Sequence, residues 1–182
     1  MAKRIRGTYM TNSGMTCLWN PAAFIDVMDY DTWEAELLED EDIRRHIRAG
    51  AFVPINIQSD GVYEIEVRVG TAADPAVLSE REAKYEFVAS EPYLFRSTGR
   101  LCVSGIECVE KKPADGVGVL AIPRGDYAVE VHLIGWDQEP GMKRKDGKPK
   151  KEALPDFVAV MNPKPKGKTK FRTKVETFPP PG

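Results

Sequence analysis

Histidine and cysteine are scarce in this sequence, and their scarcity narrows the chemistry open to it. The two histidines, His46 and His132, and the three cysteines, Cys17, Cys102 and Cys108, show none of the short spacings of a zinc site. An odd number of cysteines argues against a disulfide framework. Cys102 and Cys108 are about 20 Å apart along a regular strand, too far to share a metal unless the strand breaks at Gly105. All three therefore read as small apolar packing groups. No apolar run approaches the roughly 20 residues of a membrane-spanning helix. The basic start Lys3-Arg4-Ile5-Arg6 has no apolar stretch behind it, so it does not read as a secretory signal. The cytoplasm is the expected compartment.

Catalytic motifs are missing too. Val103-Ser104-Gly105-Ile106 lacks the first glycine of a nucleophile elbow. Gly116, Gly118 and Gly125 do not form a phosphate loop. No catalytic residue, metal or cofactor is expected.

What remains is a globular composition, 42% hydrophobic and 30% charged over 182 residues. A single β-rich domain spanning 1–182 follows, with a core burying roughly 70% of the unfolded chain's surface. Thr8–Met10 and Met15–Trp19 flank Asn12-Ser13-Gly14 as a hairpin. Asp31 reads as a helix cap with Glu34 completing a capping box, and Trp33, Leu37 and Leu38 share one face. Asp40 caps a second turn carrying Ile43 and Ile47, which Gly50 stops.

From residue 51 the period changes to two. Tyr63, Ile65, Val67 and Val69 face one way while Glu64, Glu66 and Arg68 face the other, the pattern of a half-buried antiparallel strand. Tyr85, Phe87 and Ala89 repeat it, and Leu101–Val109, Tyr127–Leu133 and Phe157–Met161 read as further strands. Phe171, Thr173, Val175 and Thr177 alternate as a final one. The segment 138–155 reads as a mobile basic loop and 179–182 as a stiff proline-rich tail. The fold class is mainly β: an antiparallel β-sandwich or partly closed barrel with one short helical segment at about 31–49.

Charge is where the sequence is unusual. Residues 26–42 hold Asp26, Asp29, Asp31, Glu34, Glu36, Glu39, Asp40, Glu41 and Asp42 and no base. Residues 143–174, from Lys143 to Lys174, hold twelve bases against Asp146, Glu152 and Asp156. The ordinary account of the first is a solvated helix with acids favouring its N-terminus. The sharper account is an anionic patch, carried by Asp31, Glu34, Glu36, Glu39, Asp40, Glu41 and Asp42, that engages a basic protein partner. The basic stretch admits nucleic acid as an alternative partner, although its aromatic residues are limited to Phe157 and Phe171. A third reading is a small-ligand or sugar site around His132, Trp136 and Asp137.

Lys84-Tyr85-Glu86-Phe87-Val88, Ser97-Thr98-Gly99-Arg100-Leu101, Ser104-Gly105-Ile106-Glu107 and Ile122-Pro123-Arg124-Gly125-Asp126-Tyr127-Ala128-Val129 follow one another between residues 84 and 137. The order is a strand, a glycine turn, a strand ending in glutamate, then a proline–glycine–tyrosine entry into another strand. It resembles the competence-associated DNA-entry nuclease inhibitor family and several uncharacterised bacterial β-sandwich families. The resemblance implies a nuclease-binding β-sandwich without catalysis and assigns no functional residue. The leading expectation is a non-enzymatic bacterial interaction protein of the inhibitor or immunity kind.

Overall fold

The computed structural model describes residues 3–181 and places ten strands in two sheets, with three short α-helices. Met1, Ala2 and Gly182, the last residue of the proline-rich tail, lie outside the described residues. The chain runs β1 (Lys3–Thr11), β2 (Met15–Trp19), α1 (Tyr30–Leu37), α2 (Asp40–Arg48), β3 (Phe52–Asn56) and β4 (Gly61–Val69). It continues through α3 (Glu80–Lys84), β5 (Glu86–Ala89), β6 (Tyr93–Ser97), β7 (Arg100–Gly105), β8 (Gly118–Ala121), β9 (Gly125–Ile134) and β10 (Phe157–Pro163). One sheet has the order β1-β4-β10-β9, with β5 and β6 lying end to end along the far side of β9. The second has the order β3-β2-β7-β8. No barrel closes, so the sandwich is the form adopted. Every pairing is antiparallel except β10 with β4, where Phe157 sits beside Ile65.

Alternation decides what enters the core. Tyr63, Ile65, Val67 and Val69 from β4 join Phe157, Ala159 and Met161 from β10 and Val129, Val131 and Leu133 from β9 in one cluster with Leu18, Trp19, Phe52, Leu101 and Val103. The opposite face of the larger sheet is covered as well. Val158 and Val160 of β10 pack with Ala76, Ile134, Trp136, Ala153 and Leu154 in a second cluster. The cover comes from the segments before β5 and between β9 and β10. Asn162 clasps the first by accepting from Ala76 N–H at 2.8 Å and donating to Ala76 C=O at 2.9 Å. The second turns on Asp156, which accepts from Trp136 Nε1 and from the Glu64 N–H, each at 2.8 Å. Burial raises the Asp156 pKa, and those two donors hold it partly back.

Several local expectations change under this topology. Asn12-Ser13-Gly14 does not close a hairpin: β1 pairs with β4 in one sheet and β2 with β3 and β7 in the other, so the link crosses the sandwich. Gly14 makes the crossing at φ +68° while its C=O accepts from Ile57 and Gln58, each at 2.9 Å. Helix α1 begins one residue before Asp31, because Asp29 and Thr32 cap each other across three residues and leave Asp31 and Glu34 inside the helix. Asp40 is likewise the first residue of α2, not its cap. Gly50 ends that helix at φ +73°, as its position implied. Leu37 is buried, but Leu38, between the helices, is exposed.

A further helix, α3, lies outside the expected helical region. Ser79 and Glu82 form its capping box, a signature readable three residues apart. Phe87 sits at a register shift in β5 and points to solvent. The strand from Leu101 stops at Gly105 and turns through a 3-10 helix, Ile106–Cys108. Residues 171–177 form no strand; they contribute one bridge, Thr177 to Asn56, that leads Phe178 onto Phe157 in the core.

The outward residues of β4 are not all solvated. Glu66 and Glu82 are buried, and Arg68 lies between them, donating to Glu66 Oε1 at 2.7 Å and to Glu82 Oε2 at 2.6 Å. Burial works against ionising Glu82, but the Arg68 and Ser79 bonds outweigh it and its pKa is lowered. Removing one member of a desolvated pair strands the other charge. Glu82→Ala is therefore expected to cost about 3 kcal/mol in urea unfolding. Adding Arg68→Leu together with Glu66→Leu, which leaves no charge alone in the layer, should restore much of that loss; if this triple variant is as unstable as the single one, the cluster does not tie α3 to the sheet.

Candidate functional site

The acidic segment folds into α1 and α2, and the fold brings bases to part of it. Glu36 Oε2 accepts from Arg45 Nη2 at 3.0 Å and meets His46 Nε2 at 2.8 Å. Glu41 pairs with Arg48 at 2.7 Å and Arg44 at 3.7 Å, and Asp42 with Arg45 at 3.5 Å. The Glu36 contacts tie α1 to α2, whereas the Glu41 and Asp42 pairs lie within α2, whose acids at its start and bases at its end have the favourable sense of the helix dipole. Glu34 accepts from the Tyr30 hydroxyl at 3.2 Å. Asp31, Glu39 and Asp40 make no ion pair among the described residues. With Asp26 and Asp29, they are the exposed acids of the run that no base meets among the described residues.

Beside α1 lies a groove of about 490 Å³ between the start of the helix and the turn after β7. Val27, Met28, Tyr30, Trp33, Leu38 and Val109 supply its apolar wall. Tyr30 and Trp33, one helical turn apart, stack at 6.1 Å and 20°. Trp33 Nε1 donates to the Ile106 C=O at 2.9 Å, which fixes α1 against the turn. The charged side chains lining the groove are Asp29, Glu107 and Glu110, and no base joins them. Met28 and Tyr30 remain 65% and 66% exposed, high for side chains of their size.

The sequence reading placed the acids but not this groove. Tyr30 and Trp33 at helical spacing are its one local signal. Glu107 has none, since its two carboxylate oxygens accept from Thr11 Oγ1 at 3.1 Å and the Asn12 N–H at 2.7 Å, nearly a hundred residues away in sequence.

This fold has known counterparts. A solved protein described as "Crocagin biosynthetic gene J" is similar with a TM-score of 0.62 and 14% identity, over 91% of this chain and 99% of that one. ComJ, the inhibitor of the DNA degrading activity of NucA from Bacillus subtilis, aligns at a TM-score of 0.48 and 14% identity, over 90% of this chain and 98% of that one. No family model and no curated protein sequence matches this chain.

The other sequence-derived sites are arranged differently. His132 is buried with Nδ1 against Glu86 Oε1 at 2.5 Å and Nε2 3.9 Å from Glu130. Trp136 is buried on Asp156. Asp137 alone of the three lines a neighbouring cleft of about 220 Å³, walled by Phe87, Ile134, Gly135 and the prolines 179–181. In the basic stretch, the lysines between 143 and 151 lie on the outer layer of the larger sheet and are exposed apart from half-embedded neighbours such as Met142. Ala153 and Leu154 anchor that layer. Phe157 is fully buried and offers no stacking face, and the Lys164 ammonium lies 6.0 Å over one face of the half-buried Phe171. Cys17 and Cys102 are buried, where desolvation raises their pKa, and Cys108 is exposed. No group of three metal-ligating side chains occurs among the described residues, and no described helix is long and apolar enough to cross a membrane.

His46 gives this region a pH dependence. Burial against Phe24, whose ring lies 4.6 Å away, lowers its pKa; Glu36 and Asp42 pull upward and Arg45 downward, and burial prevails. The unfolded chain then binds the proton more readily, so stability is full above the ordinary imidazole value of about 6.5 and falls as the pH drops through it. Thermal unfolding between about pH 7 and about pH 5.5 should show a steeper loss in the native chain than in His46→Gln. Parallel slopes would show that His46 is not the group responsible.

Proposed function

We propose that this chain is a non-enzymatic bacterial interaction protein of the inhibitor or immunity kind that docks a protein with a basic surface against α1 and the start of α2. The supporting observation is the groove beside α1: its exposed wall is apolar, and every charged side chain lining it is acidic. Asp31 and Glu39 extend that field along the helices without an ion pair among the described residues, while Asp40 lines a cleft it shares with Arg44, Arg172 and Lys174. A positive partner would be steered to such a face, and the apolar wall would hold it once there. A nuclease is the partner class implied by the resemblance over residues 84–137, and inhibition is what the solved ComJ is described as doing.

The test separates outward charge from charge that braces the helices. Asp31→Asn, Glu39→Gln and Asp40→Asn together leave the Glu36, Glu41 and Asp42 pairs intact. Tagged native and substituted chains, used on extracts of the source cell at low salt, should recover a shared basic partner, with the substituted chain retaining at least about tenfold less. Recovery should also fall as salt screens the face, whose fields reach roughly 8–10 Å at physiological ionic strength. Equal recovery by both chains would remove the acidic face from the account.

A further inference from the structure

Glu107 does more than edge the groove beside α1. On its other side lies a second groove, about 300 Å³, formed by the end of β1, the turn after β7 and the loop before β8. Tyr9, Met10, Gly105, Cys108 and Gly116 give it an apolar lining, and Glu107 and Asp115 are its charged residues, again without a base. Met10 is 59% exposed, as is Val62, which faces it across the β1–β4 pair. Two apolar grooves thus flank one carboxylate.

That carboxylate is unbalanced. Glu107 is half-buried and makes no ion pair among the described residues. Its two bonds, from Thr11 and Asn12, occupy two of about four acceptor positions. A partly desolvated carboxylate with spare lone pairs between two apolar surfaces matches a cation brought by a partner. The acid-only lining is not general to this surface. A cleft between α2 and the C-terminal segment sets Arg44, Arg172 and Lys174 around Asp40, and another is lined by Arg100, Lys111 and Lys112.

We infer that the docking surface runs across Glu107 from the groove beside α1 into the second groove, and that its occupant is an extended segment of the partner carrying apolar side chains on either side of a lysine or arginine. This rests on the reading of the chain as an interaction protein and names what the partner must present. The two grooves take the apolar side chains, Glu107 takes the base between them, and Asp29, Glu110 and Asp115 meet flanking bases. An extended segment fits because the polar Glu107 carboxylate, which lines both grooves, interrupts their apolar linings, whereas a helix needs one continuous groove for its apolar stripe.

The probe is a short fluorescent peptide in which lysine alternates with leucine, compared with one carrying glutamate for each lysine and one carrying serine for each leucine. Anisotropy with the full chain should show binding of the first only, and amide shifts should cluster at residues 10–12, 105–110 and 115–116 as well as at 28–33. Met10→Ser and Asp115→Lys, both at the second groove, should each weaken binding at least about fivefold, while Lys145→Glu on the outer layer leaves it unchanged. If the second-groove variants bind the peptide like the native chain while Asp31→Asn with Asp40→Asn weakens it, the occupant stays beside α1 and this inference is wrong, though the interaction reading stands. If the peptide fails to bind at millimolar concentration, or the glutamate peptide binds equally, the inference is also wrong. The reading beneath it is lost separately, when neutralising Asp31, Glu39 and Asp40 leaves partner recovery unchanged.

Discussion

Strand β10 is apolar on both faces, and much of the architecture answers that constraint. Phe157, Ala159 and Met161 point into the sandwich, while Val158 and Val160 point the other way. A strand of this kind is stable only in the middle of a sheet whose outer face is also covered. The larger sheet accordingly places β10 between β4 and β9, and two long connections fold over its outside. Each is fixed by a polar contact the apolar surface could not supply: Asn162 with Ala76, Asp156 with Trp136 and Glu64, Arg68 with Glu66 and Glu82. Buried hydrogen bonds of this sort add little net energy but specify where the cover lies.

The charge layout also looks different in three dimensions. In sequence, residues 26–42 form an acidic block with no base. In the fold, Arg44, Arg45 and Arg48 neutralise Glu41 and Asp42 within α2, and Arg45 with His46 reaches back to Glu36, which joins α1 to α2. The outward field is carried by fewer residues than the block contains, and it is joined by Glu107, Glu110 and Asp115 from distant segments. A composition count is therefore a poor guide to the field a partner meets, because pairing between adjacent helices removes some charges and topology gathers others.

Strand positions were legible because the larger sheet has one uniformly apolar face, and alternation over Val62–Val69 and Tyr127–Leu133 reports it directly. Pairing was not. Asn12-Ser13-Gly14 has the composition of a hairpin turn, and nothing local distinguishes a hairpin from a crossing between sheets. Buried Glu66 broke the inference from alternation to solvent, since its partner Glu82 comes from α3 across the layer. Phe87 broke it the other way through a register shift in β5. At the candidate site, the acids of α1 and α2 and the spacing of Tyr30 and Trp33 are local features. The link from Glu107 to Asn12 is a product of the fold alone.

Strand β10 is the last of the described strands to be synthesised and the central strand of the larger sheet. Until it emerges, β1 with β4 and β9 with β5 and β6 exist as two partial sheets, each presenting an unpaired edge. The sandwich therefore cannot form by growing outward from its N-terminal half. It must close in one late step, as a strand inserts between two waiting edges, one pairing parallel and the other antiparallel. The nascent chain carries its greatest risk of edge-to-edge aggregation just before β10 emerges.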